Sequence, residues 1–260
     1  MGTAKAIDTP LGRVSYAEYG EGPPRVFLHS LLTDRSAFDL TAREMKGKWI
    51  MVDLPGFGSS AMAQPNIDDY AHRIAALLTA LGLERPVLIG NGLGGFVALA
   101  VAIHHPELIE RLILIGAGAG VNETQKQAFA GMAAAVTSGG MEAVIPTALR
   151  RLFSEDYLAA NPRAGEQRAE VLRRTAPEAF VLACEALAAL DYTALAPNVE
   201  IPTLIVVGEG DQATPPLLAV QLHELIDGSQ LVRLEGIAHA PQLQDPVGLA
   251  ATLISFLEER

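Results

Sequence analysis

Short aliphatic runs alternate with amphipathic helical stretches along most of this chain, and that alternation limits its fold more than any other feature. Runs at 13–19, 25–28, 49–52, 86–89, 112–115, 203–207 and 231–234 read as strands. Between them, 34–45, 67–83, 93–104, 217–226 and 247–257 read as helices; in the second of these, Tyr70, Ile74, Leu77 and Leu81 fall on one stripe. Strand and helix in alternation predict an α/β fold, a largely parallel sheet with helices on both faces.

The alternation stops once. From Val121 to about Leu190 no strand pattern occurs, and helical runs at 125–134, 142–153, 166–174 and 178–190 are separated by Ser138-Gly139-Gly140, Asn161-Pro162 and Ala176-Pro177. A helical insertion between two parallel strands suits a cap over the carboxyl edge of the sheet, where such sheets bind ligands. The expected organisation is therefore a core of 1–120 and 194–260 with a helical cap at 121–193. Extra structural helices beside the sheet are the alternative. A length of 260 residues corresponds to one or two domains of about 150 residues, which fits a core carrying an insertion.

Composition narrows the partners. Half the residues are hydrophobic and 19 % are charged, which excludes a disordered chain. The formal charge of −11 would be repelled by phosphate backbones, so nucleic acid is not an expected partner. Cys184 is the only cysteine, which removes any intramolecular disulfide and any cysteine zinc site and agrees with a reducing compartment. No signal peptide is visible before Asp8 and Pro10, and apolar stretches such as 97–103 are too short to span a bilayer. A cytoplasmic protein with no membrane partner is expected.

The most informative segment is Val87-Leu88-Ile89 running into Gly90-Asn91-Gly92-Leu93-Gly94-Gly95 and straight into a helix. Gly90, Gly92 and Gly95 fit G-x-G-x-x-G, the turn that cradles a dinucleotide pyrophosphate. That reading needs an acid at the end of the next strand, but 112–115 ends in Gly116-Ala117-Gly118-Ala119-Gly120, and Glu107 and Glu110 precede it. The same residues fit G-x-S-x-G with glycine in place of serine. They would form a strained strand-to-helix elbow, where glycine keeps the backbone and deletes the attacking oxygen.

Downstream, Asp211 follows one strand and His239 the next, giving the order nucleophile position, acid, histidine. Upstream, a strand ends in His29-Ser30-Leu31-Leu32. Over about 13–257 the chain resembles the α/β-hydrolases, and within them 3-oxoadipate enol-lactonases and related capped esterases. Ser30-Leu31-Leu32-Thr33-Asp34, Leu152-Phe153-Ser154-Glu155-Asp156-Tyr157, Cys184-Glu185-Ala186, Asp191 and Asp211 with Thr214-Pro215 carry the likeness. Two departures stand out: Leu54-Pro55-Gly56-Phe57-Gly58 has no arginine before its Gly-x-Gly, and the serine is missing at Gly92.

The resemblance implies a mostly parallel eight-stranded sheet and hydrolysis of a carboxylic ester, particularly a lactone, through an acyl-enzyme; nothing in the sequence itself suggests a metal or organic cofactor. It implies His239 as general base and acid, Asp211 as its partner, and the backbone amides of Leu31 and Leu93 as oxyanion donors. Ser30, Leu32, Asn91, Phe153 and Tyr157 are the expected substrate contacts. Phe129, Met132, Met141 and Ile145 join Phe153 and Tyr157 as an apolar roof, and one of Arg150, Arg151, Arg173 or Arg174 would meet an anionic substrate. A small-molecule substrate is the expected partner, with the chain a monomer or homodimer.

Several residues have quieter readings. His29 reads as a scaffold histidine, and His72, His104, His105 and His223 as surface or packing residues. Glu209 competes with Asp211 for the acid role. Ser30 as a displaced nucleophile is set aside, because no base motif stands beside it in sequence. Gly92 itself reads as a serine-to-glycine change that holds substrate unreacted. A naturally non-catalytic binding protein is the rival, and a nicotinamide oxidoreductase the third reading.

Overall fold

The computed structural model describes residues 3–259, so the outermost residues of the expected core segments (1, 2 and 260) lie outside it. Eight strands, β1 (Thr3–Thr9), β2 (Gly12–Tyr19), β3 (Pro24–Leu28), β4 (Lys48–Val52), β5 (Val87–Asn91), β6 (Arg111–Ile115), β7 (Thr203–Gly208) and β8 (Gln230–Leu234), form one sheet. Their order is β1-β2-β4-β3-β5-β6-β7-β8. β1–β2 and β2–β4 are antiparallel and all other pairs are parallel.

Period-two alternation sends each strand's side chains to opposite faces. Val26, Leu28, Leu88, Leu112, Leu114, Ile205 and Val207 enter one core, and Phe27, Ile89, Ile113, Ile115, Leu204 and Val206 the other. The first core is covered by α2 (Ile67–Ala80) and α3 (Leu93–His104), with α1 (Asp39–Arg43) on the opposite face. The segment expected as one helix at 34–45 is a 3-10 turn at Arg35–Phe38 followed by the short α1. β1 escaped the sequence reading because it is an exposed edge strand mostly of small, polar and charged residues; among its described residues only Ile7 packs on the core, and Lys5 pairs with Glu18 of β2.

Between β6 and β7 run α4 (Glu123–Leu152), α5 (Glu155–Ala160), α6 (Pro162–Arg174) and α7 (Pro177–Ala188). The segment leaves and returns at one place: Gly120 bridges Asp191, and the Tyr192 amide donates to the Ala119 carbonyl at 2.6 Å. Asn122 starts α4 by accepting from the Thr124 and Gln125 amides, while Gln125 answers at the Asn122 amide. The two runs expected at 125–134 and 142–153 form α4, broken by Gly140 at φ 66°. α4 is long and apolar enough to cross a membrane by length and composition, which corrects the expectation that nothing in the chain is. Its Phe129, Met132, Val136, Val144 and Ile145 are nevertheless buried in the protein's own core.

The chain closes with α8 (Pro216–Leu225), α9 (Pro241–Gln244) and α10 (Pro246–Glu258), the last packing Leu249, Leu253 and Phe256 under the second face.

Candidate active site

The site is assembled where β5 turns into α3. Gly92 adopts φ 54°, ψ −118°, a left-handed conformation at the sharp junction of strand and helix. Its amide donates to Ile115 O at 2.9 Å and the Gly94 amide to His29 O at 3.0 Å, so the turn is tied to both neighbouring strands. A Cβ on Gly90 would strike the Gly94 backbone, and one on Gly94 the Leu28 carbonyl. These two glycines exist because strand and helix approach too closely for a side chain.

Beyond β7, Asp211 is buried. Its Oδ1 accepts from the amides of Ala213 and Thr214, each at 2.8 Å, which fixes the carboxylate plane. Its Oδ2 lies 2.8 Å from Nδ1 of His239, on the loop after β8. An ionised carboxylate only accepts, so Nδ1 donates, and the neutral ring carries its lone pair on Nε2. That Nε2 lies 2.8 Å from where a Cβ on Gly92 would stand. Asp211, His239 and Gly92 therefore converge across 28 and 147 residues of sequence. Glu209 is exposed and its amide bonds back to Leu234 O.

Two supporting residues, Gly116 and Gln242, were not singled out in the sequence. Gly116, at φ 55°, leaves room for the pair: a Cβ there would come within 3.0 Å of both Asp211 Oδ2 and His239 Nδ1. Gln242 donates to Asn91 Oδ1 at 2.8 Å, and Asn91 Nδ2 donates to the His239 carbonyl at 3.0 Å. The five-residue run of glycine and alanine after β6 was the only sequence hint of Gly116, and nothing local marks Gln242.

Asn91, expected to touch substrate, thus spends its amide on buried backbone and on Gln242. Ser30, Leu31, Leu32 and Leu93 do line the cavity beside Gly92 and His239, roofed by Phe129, Met132, Arg151 and Leu187. The Leu31 and Leu93 amides carry no hydrogen bond among the described residues; Leu93 opens a helix, where the first amides lack intrahelical acceptors. Phe153 and Tyr157 do not reach this cavity. They stack on each other in a separate groove, ring centres 5.0 Å apart, with the Tyr157 hydroxyl donating to Leu243 O. Met141 and Ile145 are core residues of the insertion.

Among the four arginines, Arg151 alone lines the cavity; it donates to Ala213 O at 3.1 Å and lies over the Phe129 ring. Burial pulls its guanidinium pKa down, against the pull of the nearby Asp211 charge. Arg150 is exposed, Arg173 pairs with Glu142, and Arg174 lines a groove with Asp34 and Asp53.

His29 is a scaffold residue, as read from sequence. Its Nε2 accepts from the Leu54 amide at 3.1 Å, so Nδ1 carries the proton and donates to Ser30 O at 2.8 Å. His72 on α2, His104 at the end of α3 and His105 just beyond it cluster away from the cavity, His105 against His72 and His104 against Asp68. The expectation that no base stands beside Ser30 is wrong in three dimensions: His239 Nε2 lies 3.3 Å from Ser30 Oγ. Their 209-residue separation hid the pairing.

An eight-stranded, mostly parallel sheet with this elbow and a histidine–acid pair at its carboxyl edge defines a hydrolase scaffold. Residues 26–252 match the family model described as the alpha/beta hydrolase family, and the chain belongs to that family. A pimeloyl-[acyl-carrier protein] methyl ester esterase of Neisseria meningitidis is 30 % identical over 89 % of this chain and 92 % of its own. The 3-oxoadipate enol-lactonase 2 of Acinetobacter baylyi is 27 % identical over 90 % and 88 %. The crystal structure of an enol-lactonase from Burkholderia xenovorans superposes with a TM-score of 0.93, at 25 % identity over 98 % of this chain and all of that one. Hydrolase relatives thus span esterases and lactonases.

Proposed function

We propose that the chain carries the machinery of a carboxylic ester hydrolase, for lactones among its substrates, with His239 as the proton-transferring group and Asp211 as the residue that orients it. The observation that carries this is the 2.8 Å His239–Asp211 contact with Nε2 aimed at Gly92. The unbonded amides of Leu31 and Leu93 suit an oxyanion developing beside them. Arg151 is the candidate partner for a carboxylate on the substrate. The helices at 121–193 would act as a cap. One buried cysteine, its thiol pushed up to about 12, fits a reducing cytoplasm.

Gly92 closes the acyl-enzyme route through residue 92 in this chain, as an inactivating serine-to-glycine change would. Gly92→Ser should open it. The new Cβ would stand 2.6 Å from Ser30 Oγ and 2.8 Å from His239 Nε2, so the hydroxyl must rotate away and the ring must yield slightly. Turnover of p-nitrophenyl esters and of an enol-lactone should rise by about 10³-fold or more over the glycine form, since deleting a triad member costs up to about a millionfold in kcat. A folded Gly92→Ser protein that turns over neither class would leave the binding-protein reading standing instead.

A further inference from the structure

We propose that Ser30 is the nucleophile left to this chain, attacking from the β3 loop in place of the missing residue-92 hydroxyl. The inference rests on the reading of His239 as an acyl-transfer base.

Ser30 is buried, lines the same cavity as Gly92 and His239, and puts Oγ 3.3 Å from the unprotonated Nε2. That nitrogen is the hydroxyl's sole side-chain partner among the described residues. The rest of Ser30 is held still. Its amide donates to Thr33 Oγ1 at 3.1 Å, and its carbonyl accepts from His29 Nδ1 and from the Thr33 amide. His29 is in turn anchored on the Leu54 amide. A hydroxyl on a fixed backbone, facing a histidine backed by a buried carboxylate, has the arrangement that activates a serine.

The space Gly92 vacates matters as much. Ser30 Oγ lies 2.6 Å from the position of a residue-92 Cβ, so a side chain there and the observed Ser30 rotamer exclude each other. With glycine, no residue-92 side chain stands in the approach of an ester carbonyl to Oγ. The unbonded Leu31 amide is adjacent to Ser30, and the unbonded Leu93 amide heads α3, so both can face the resulting oxyanion.

The chemistry balances without any co-reactant but water. Ser30 Oγ forms a bond to the ester carbonyl carbon while its proton passes to His239 Nε2. The bond from carbon to the alcohol oxygen then breaks, and that oxygen takes the proton from Nε2. Water attacks the Ser30 acyl ester, gives its proton to Nε2, and Oγ leaves and recovers it.

The experiment treats the intact glycine-92 chain with a fluorophosphonate and with p-nitrophenyl acetate, mapping adducts by peptide mass spectrometry. Expected are phosphonyl and acid-quenched acetyl adducts on Ser30, both lost in Ser30→Ala and in His239→Ala, with turnover falling at least about 100-fold in each. Ser30→Cys should be alkylated by iodoacetamide faster than His239→Ala/Ser30→Cys; Cys184 is buried and contributes little background. Turnover that persists in Ser30→Ala, with no adduct on Ser30, overturns the inference and leaves the hydrolase reading intact, with water attacking directly. An inactive glycine-92 chain beside an active Gly92→Ser also overturns it alone. Inactivity of both overturns both.

Discussion

The turn between β5 and α3 and the helical insertion at 121–193 face the same cavity but are held in opposite ways. At the turn, backbone meets backbone: Gly90 and Gly94 have no room for a methyl group, and both sides are pinned by amide hydrogen bonds. The insertion is held by apolar side chains, with α4 lying along α7, and by scattered polar contacts to the core such as Arg151 to Ala213 and Tyr157 to Leu243. The cavity between them is about 20 Å³, room for roughly one water and no ester. If the insertion acts as the proposed cap, chemistry sits on the part held backbone to backbone, and admission of substrate falls to the part held by side chains.

The sharpest way to break that contrast is a single methyl group at Gly94. It would overlap the Leu28 carbonyl, and neither helix nor strand can retreat without losing buried contacts. Gly94→Ala should cost more than about 3 kcal/mol and lower the Tm by more than about 6 °C in a thermal melt. A loss below 1 kcal/mol would mean that the turn is looser than it looks.

On the insertion side, Arg151→Met in the Gly92→Ser form keeps most of the side-chain bulk and removes the charge. KM for an anionic ester should rise about 10- to 100-fold, the worth of a charge-assisted hydrogen bond, while a neutral ester of similar size changes less than threefold. Equal effects on both would assign Arg151 to packing over Phe129 and against Ala213.

His29 offers a pH handle on the turn. Burial pushes its imidazole pKa below the ordinary 6.5, so the folded chain refuses a proton that the unfolded chain accepts. Stability from this residue is complete above pH 6.5 and is lost as pH falls through that value towards the folded pKa, by at most about 1.4 kcal/mol per pH unit. His29→Gln should be less stable at pH 7.5 but show a flatter Tm slope between pH 6.5 and 5. An unchanged slope would place the proton uptake elsewhere.

The same contrast governs what could be read from sequence. Strands such as β5 and β7 are legible because they are buried on both faces, and the elbow because its glycines are demanded by close approach. Asp211 and His239 follow strands whose ends share one sheet edge, so their order alone pointed to their meeting. Phe153 and Tyr157 were misplaced because apolar residues on an inserted helix look alike whether they face a cavity or a neighbouring helix. The Ser30–His239 contact and Gln242's hold on Asn91 join distant loops, and no local pattern records such a meeting.

The smallest effect gives the cleanest contrast, because it repeats the glycine-to-alanine change with the sign reversed. Gly131 lies in α4, exposed, at an ordinary helical φ, and a Cβ there meets nothing within 4 Å. A methyl group costs no contact, and it removes backbone freedom from the unfolded chain that folding must otherwise overcome. Gly131→Ala should therefore stabilise by about 0.5–1 kcal/mol, raising the Tm by about 1–4 °C where Gly94→Ala lowers it. Turnover by the Gly92→Ser form should be unchanged if α4 moves as a rigid body when substrate enters. Should Gly131→Ala raise the Tm yet slow turnover severalfold, the helix itself must bend at 131 to admit substrate, in addition to its break at Gly140.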